Sequence, residues 1–381
     1  MSLAERVVDL SIQLQQIPAP TFEERKRAVF VRELFEREGL EASIDEMGNV
    51  YGRWTADAGP RSMVSGGLST RKPLVVSAHL DTVFPRETDL SIRREGDKVF
   101  GPGIGDNSLG VAALFGLFWS LRESMPPLPS GEGRGEGDIW FVANVGEEGL
   151  GDLRGMKAVV DRFGSEVQAY LVLEGMAFGN IYHSGIGVKR YRITARTPGG
   201  HSWSDYGKTS AIHELSRFVV ELNSLKLPRE PRTTMNVGKI SGGTSVNVIA
   251  SEASLELDLR SEGEESLVEL ISNVERKLQA ANQADVTFEA EVIGSRPAGE
   301  IPADHPLIQL AQECIREQGL EPTLTSGSTD ANAPLSRELP ALVLGITTGG
   351  GAHTMNEFIN VNLVEKGMAQ LLRFVSSISE I

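Results

Sequence analysis

Apolar positions recur at three- and four-residue spacing through residues 3 to 17 and 22 to 38, which predicts two amphipathic helices separated by Pro18-Ala-Pro20. Thr21 is the expected N-cap of the second, with Glu24 as its capping-box partner. The period then changes. Short β-branched runs at 74–78, 139–143, 169–173 and 341–345 read as buried strands of an α/β sheet. Helical patterns at 108–122, 151–163, 305–318 and 363–378 lie between or after them. Segment 125–138, rich in Pro, Gly and charge, reads as a solvated surface loop.

From Gly187 to Ile293 the texture differs. An alternating strand from Val188 is followed by a helix at 208–224, strands at 233–240 and 252–260, a helix at 264–281 and a strand at 285–293. That order is β-α-β-β-α-β, the split βαβ pattern of a small ferredoxin-like α+β domain. A buried strand at 341–345 lies beyond it and matches those before it, so the segment reads as an insertion. The expected organisation is a discontinuous α/β domain, 1–186 plus 297–381, interrupted by an inserted domain at 187–296.

The chain has 381 residues, with 40% hydrophobic and 23% charged, which excludes global disorder and suits two packed domains. Asp and Glu number 52 against 37 Lys and Arg, for a net charge of −15. Such a field repels phosphate backbones and anionic membranes, so neither nucleic acid nor membrane is an expected partner. Cys314 is the lone cysteine. It allows no internal disulfide and no thiolate cluster, which points to a reducing compartment and leaves any metal to His, Asp and Glu. The sequence opens without a basic region followed by an apolar run, and a cytoplasmic location is expected.

Candidate chemistry collects where the strands end. His79 and Asp81 share a face at the end of the 74–78 run, where an Asp can accept the second imidazole N–H and fix the tautomer. Taken alone, the pair also fits a hydrogen-bonded histidine closing a strand. Gly101-Pro-Gly-Ile-Gly-Asp106 is not a dinucleotide loop, because a carboxylate stands where the third glycine belongs, and no P-loop lysine follows. Asp106 is either a turn residue or a carboxylate placed to reach two cations. Glu147 and Glu148 follow the 139–143 run, Glu174 ends the 169–173 run, and His353 follows the 341–345 run through a glycine-rich loop. Ligands of open α/β sheets bind at the carboxyl ends of strands, and five such ends carry these groups. Imidazoles with carboxylates form a donor set suited to zinc, cobalt or manganese. A carboxylate bridging two ions, with one of the adjacent glutamates left over as general base, is the equipment of a two-metal hydrolase. Rival machinery is scarce: there is no G-x-S-x-G elbow, and His213-Glu-Leu-Ser-Arg217 lacks the second histidine of a zincin helix.

Together these residues resemble the M20 family of metallopeptidases. The likeness is carried by Ile17-Pro-Ala-Pro20, His79-x-Asp81, Gly105-Asp106-Asn107, Glu147-Glu148, Gly199-Gly200-His201-Ser202, Asn247-Val-Ile249, Asp258-Leu-Arg260, Ser328-Thr-Asp330-Ala331 and His353-Thr-Met-Asn-Glu357. The resemblance implies a mixed-sheet di-zinc exopeptidase-like catalytic domain with an inserted ferredoxin-like lid and dimerisation domain. It implies that His79 and Glu174 hold one divalent ion and Glu148 and His353 the other, with Asp106 between them. Zinc is the expected metal, with cobalt and manganese as alternatives. It further implies Glu147 as general base, Asp81 as the residue orienting His79, His201 as oxyanion donor, and Asn247 and Arg260 as substrate contacts. An ion pair on its own strand is the competing reading of Arg260.

The implied reaction is cleavage of an amide in a small peptide or N-acyl amino acid by a homodimer joined through the inserted domain. N-deacylation and a catalytically inactive binder of the same fold are the alternatives. Two departures stand out: Glu174 where many members have Asp, and Trp203-Ser-Asp-Tyr206-Gly207 after the Gly-His-Ser segment.

Overall fold

Strands Leu74–His79, Ile139–Asn144, Ala169–Glu174 and Ala341–Gly345 are buried nearly throughout, as residues covered on both faces must be. They pair in parallel in the spatial order 139–144, 74–79, 169–174, 341–345. Antiparallel strands flank them, Val50–Trp54 and then Glu41–Ile44 on one side and Asn180–Gly185 on the other. Gly299–Glu300 and Thr323–Gly327 pair in turn with Asn180–Gly185, and the result is a nine-stranded mixed sheet. The computed structural model describes residues 1–55, 72–124 and 138–381. The surface loop expected at 125–138 lies, apart from Asp138, outside the described residues.

The chain runs from 74–79 to a neighbour on one side, 139–144, and then to a neighbour on the other, 169–174. Strand order therefore reverses at Leu74–His79, and the carboxyl end of such a strand is where open α/β sheets bind ligands. Helix Gly110–Ser124 packs on the sheet and is buried from Gly110 to Leu121, as expected of a helix apolar on every face. With the wide turn before it, Ile104–Ser124 is long and apolar enough to cross a membrane, but it is a buried core helix here. Phe115 on this helix stacks on Phe35 at 4.5 Å between ring centroids.

The helices fall at Leu3–Gln15, Arg25–Glu38, Arg154–Phe163, Pro306–Glu317 and Val364–Ser377. The expected cap at Thr21 is corrected. The second helix starts at Arg25 with Glu24 in the cap position and no side-chain cap bond. The Thr21 hydroxyl instead donates to Asp81 Oδ2 at 2.9 Å, a tertiary partner 60 residues away.

A small antiparallel sheet stands beyond what the pattern of apolar positions predicts. It orders Gly349–Gly350, Phe358–Asn360, Lys98–Phe100 and Arg93–Glu95. Strands of two or three residues carry too little alternation to be read as a pattern.

The chain divides into two compact units, Met1–Ser184 with Glu300–Ile381, and Gly185–Gly299. In the second, strands order Thr233–Gly242, Glu252–Ser261, Gly187–Arg196, Thr287–Arg296, all antiparallel. Helices Ala211–Asn223 and Glu264–Ala281 complete the β-α-β-β-α-β order. Strand Glu252–Ser261 buries alternate residues, and Leu255, Leu257 and Leu259 join Leu215, Phe218 and Leu270 in a separate core. Its other face carries an ion-pair ladder in which Arg192 reaches Glu256 and Glu291, and Arg190 reaches Asp258.

Candidate metal centre

His79 is the last residue of its strand and is buried, with its Nε2 3.1 Å from Asp106 Oδ1 and 3.9 Å from Glu174 Oε2. The other oxygen of Asp106, Oδ2, lies 3.0 Å from His353 Nε2, which is also 3.1 Å from Glu148 Oε1. A single carboxylate thus faces a different imidazole with each oxygen. His353 is held in the left-handed region at φ 64°, two residues after Gly351, between strands Gly349–Gly350 and Phe358–Asn360 of the small sheet.

Glu147 and Glu148 sit in a buried turn after strand Ile139–Asn144, and Asp81 fixes that turn. Asp81 Oδ1 accepts from the backbone N–H of Glu147 at 3.0 Å and Oδ2 from that of Glu148 at 2.9 Å. The Nδ1 of His79 pairs with the Asp81 main-chain carbonyl at 3.0 Å, while the carboxylate stands 3.6 Å off. Asp81 therefore orients His79 chiefly through its carbonyl, and its side chain is committed to the glutamate turn. Two further residues brace the site. Asn107, fully buried, donates to the Leu173 carbonyl at 2.8 Å and accepts from the N–H groups of Gly175 and Gly110. Asn144 donates to Asp330 at 2.7 Å.

The electrostatics follow from crowding charge in a dry place. Burial and the neighbouring Asp106 and Glu147 push the Glu174 carboxyl well above the usual carboxylate range, although His79 pulls the other way. Burial works against the His79 imidazolium, but bonds to Asp106 and Asp81 raise it well above an ordinary histidine. Hydrogen bonds to Asp106 and Glu148 hold His353 up at about 10. Asp106 is depressed: burial opposes its charge, but both imidazoles donate to it.

These residues fit a metal. Atoms of His79, Asp106 and Glu148 lie within 4.8 Å of one another. Ligands at about 2.1 Å around one tetrahedral ion would be about 3.4 Å apart, close to the contacts seen. Four carboxylates against two imidazoles leave an excess of buried negative charge that a divalent cation would offset.

His201, Asn247 and Arg260 belong to the Gly185–Gly299 unit. His201 pairs with Val248 in a two-residue ladder, and its Nδ1 accepts from the backbone N–H groups of Trp203 and Ser204. That leaves Nε2 to carry the proton. Asn247 accepts from the Ser245 hydroxyl at 2.8 Å and is exposed. Arg260 donates to Asp258 at 2.7 Å, on the strand where the competing ion-pair reading placed it.

Comparison with known proteins bears on the chain as a whole. The chain is 26% identical over 318 residues to a peptidase M20 domain-containing protein of Schizosaccharomyces pombe, covering 81% of this chain and 70% of that one. It is 25% identical over 320 residues to the succinyl-diaminopimelate desuccinylase of Corynebacterium glutamicum, covering 81% and 82%. Its fold is similar to that of a tripeptidase from Staphylococcus aureus, with a TM-score of 0.79 at 20% identity over 99% of both chains. The family model described as peptidase family M20/M25/M40 matches residues 75–377, a span that begins in the His79 strand and runs past His353, and the chain belongs to that family of hydrolases.

Proposed function

We propose that the protein is a two-metal amidohydrolase that releases a free amine from a small peptide or an N-acyl amino acid. The observation that carries this reading is Asp106, whose two oxygens face His79 and His353 at 3.1 and 3.0 Å. His79 and Glu174 with one oxygen of Asp106 would hold one ion, and His353 and Glu148 with the other oxygen would hold the second. Zinc suits the nitrogen and oxygen donors, and cobalt or manganese would serve in its place. Bound ions would supply Lewis acidity toward the scissile carbonyl and lower the pKa of the attacking water.

The chain's own residues do the rest. Glu147 takes a proton from the water as its oxygen bonds to the carbonyl carbon, and returns it to the nitrogen as the carbon–nitrogen bond breaks. Asp81 holds the backbone of Glu147 in place for both transfers. His201, with its proton on Nε2, is assigned to the oxyanion, and Asn247 and Arg260 to the substrate. The Gly185–Gly299 unit is assigned to dimerisation and to covering the substrate. Its helices expose Ile212, Val220 and Val268, apolar side chains suited to a self-contact.

The desuccinylase relative favours a second reading of substrate, N-acyl amino acid rather than peptide. One experiment separates them: free-amine release from dipeptides, tripeptides and N-acyl amino acids by zinc- or cobalt-loaded protein, beside chelated protein and Glu147→Gln. Metal-dependent cleavage that falls at least 100-fold in Glu147→Gln is expected, and the substrates cleaved distinguish peptidase from deacylase. No ion bound and no substrate cleaved would support an inactive binder instead.

A further inference from the structure

Glu357 is a fully buried carboxylate to which the reaction above gives no part. Its Oε1 accepts from the backbone N–H groups of Gly105 at 2.8 Å and Asp106 at 2.9 Å, and its Oε2 from that of Gly103 at 3.0 Å. Its main-chain carbonyl accepts from Gly101 N–H at 2.9 Å. Three inward-turned N–H groups make a concavity that calls for an anion, and Glu357 supplies it. The next residue, Phe358, pairs with Phe100 in the small sheet, so the link is continuous with a strand pair.

The turn bearing Asp106 thus hangs from a residue four positions after His353. On its other side the same turn is held by Asn107, which bonds to Leu173 and Gly175 on either side of Glu174. Each half of the centre has its own clasp to Asp106, Asn107 toward Glu174 and Glu357 toward His353.

We propose that Glu357 is a positioning residue that fixes the Asp106 carboxylate relative to His353, and that the three backbone N–H hydrogen bonds it accepts set the affinity of the His353–Glu148 half of the centre. This rests on the two-metal reading above. A glutamine at 357 replaces one acceptor oxygen with an N–H2 group aimed at a backbone N–H. An aspartate keeps the charge but withdraws it by one carbon–carbon bond, about 1.5 Å, beyond hydrogen-bond reach.

The test titrates metal-free, full-length protein with cobalt(II) chloride, followed by calorimetry and by the visible absorption of bound cobalt, for wild type, Glu357→Gln and Glu357→Asp. Hydrogen exchange at residues 101–107 is measured in the same metal-free samples. Wild type is expected to take two ions. Both variants should bind the first within about twofold of wild type and the second ten- to a hundredfold more weakly, the usual cost of losing a partner behind a ligand. Exchange at Gly103, Gly105 and Asp106 should rise in both.

Wild-type affinity at both steps in Glu357→Gln, or rescue of the second step by Glu357→Asp, would overturn the proposal. So would equal weakening of both steps together with a lowered melting temperature of the metal-free variants, since that is a purely structural loss. A wild-type protein that takes fewer than two ions would overturn the two-metal reading itself, a failure visible before either variant is made.

Discussion

Asp81 shows how one side chain can serve a site without touching a substrate. Its carboxylate accepts from Thr21, Glu147 and Glu148, and its carbonyl accepts from His79. Asp81→Asn puts an N–H2 group against at least one of those donors, and a buried donor left unmet costs about 1–3 kcal/mol. Amide hydrolysis by the loaded variant should fall at least tenfold, whereas Thr21→Val, which removes one bond of three, should cost only about 1 kcal/mol in a urea titration. Cys314 offers a separate check on the core. Burial, with Glu317 nearby, pushes its thiol from 9.0 to about 11. Above pH 9 the unfolded chain loses that proton and the folded chain keeps it, so the stabilisation is complete below pH 9 and drains away between 9 and 11. The unfolding free energy of wild type, less that of Cys314→Ala, should shrink by roughly 2–3 kcal/mol across that window.

At the scale of elements, the four parallel strands were legible because each is a short apolar run, and three of them close on a polar residue. His79 and Glu174 are such closing residues, and Glu147 and Glu148 follow one. The clasps were not legible. Asn107 and Glu357 meet backbone N–H and C=O groups, which every residue carries and no side-chain pattern reveals. Thr21 departs from its pattern for a related reason: a hydroxyl just before a helix looks like a cap until a distant acceptor competes for it. The small sheet linking His353 to Asp106 was hidden by its brevity.

Gly175 shows what the strand ends demand. A Cβ there would lie 2.1 Å from the Gly105 carbonyl oxygen, so any side chain must drive the strand end bearing Glu174 away from the turn bearing Asp106. Gly175→Ala should lower stability by about 1–3 kcal/mol and weaken metal binding in the same titration, and wild-type metal affinity would show that the two elements move together.

The described residues form two cores, one about the nine-stranded sheet and one in the Gly185–Gly299 unit, and all five residues assigned to metal belong to the unit of the first. Self-contact through the helices of the second unit predicts a light-scattering mass of twice 41.2 kDa, and Val220→Glu with Val268→Glu should return it to the monomer value. Metal should act on the first core alone. An ion that binds only the folded state stabilises it by about 2.7 kcal/mol when supplied at a hundred times its dissociation constant. For a unit of this size each kcal/mol moves the melting temperature by about 2–4 °C, so zinc at a hundred times both dissociation constants, about 5.4 kcal/mol for two ions, should raise one calorimetric transition by roughly 10–20 °C. The transition of the inserted unit should stay where it is, because its core shares no ligand with the centre. A common shift of both transitions would mean instead that the units unfold as one cooperative body, and the stabilisation measured would then be spread over the whole chain.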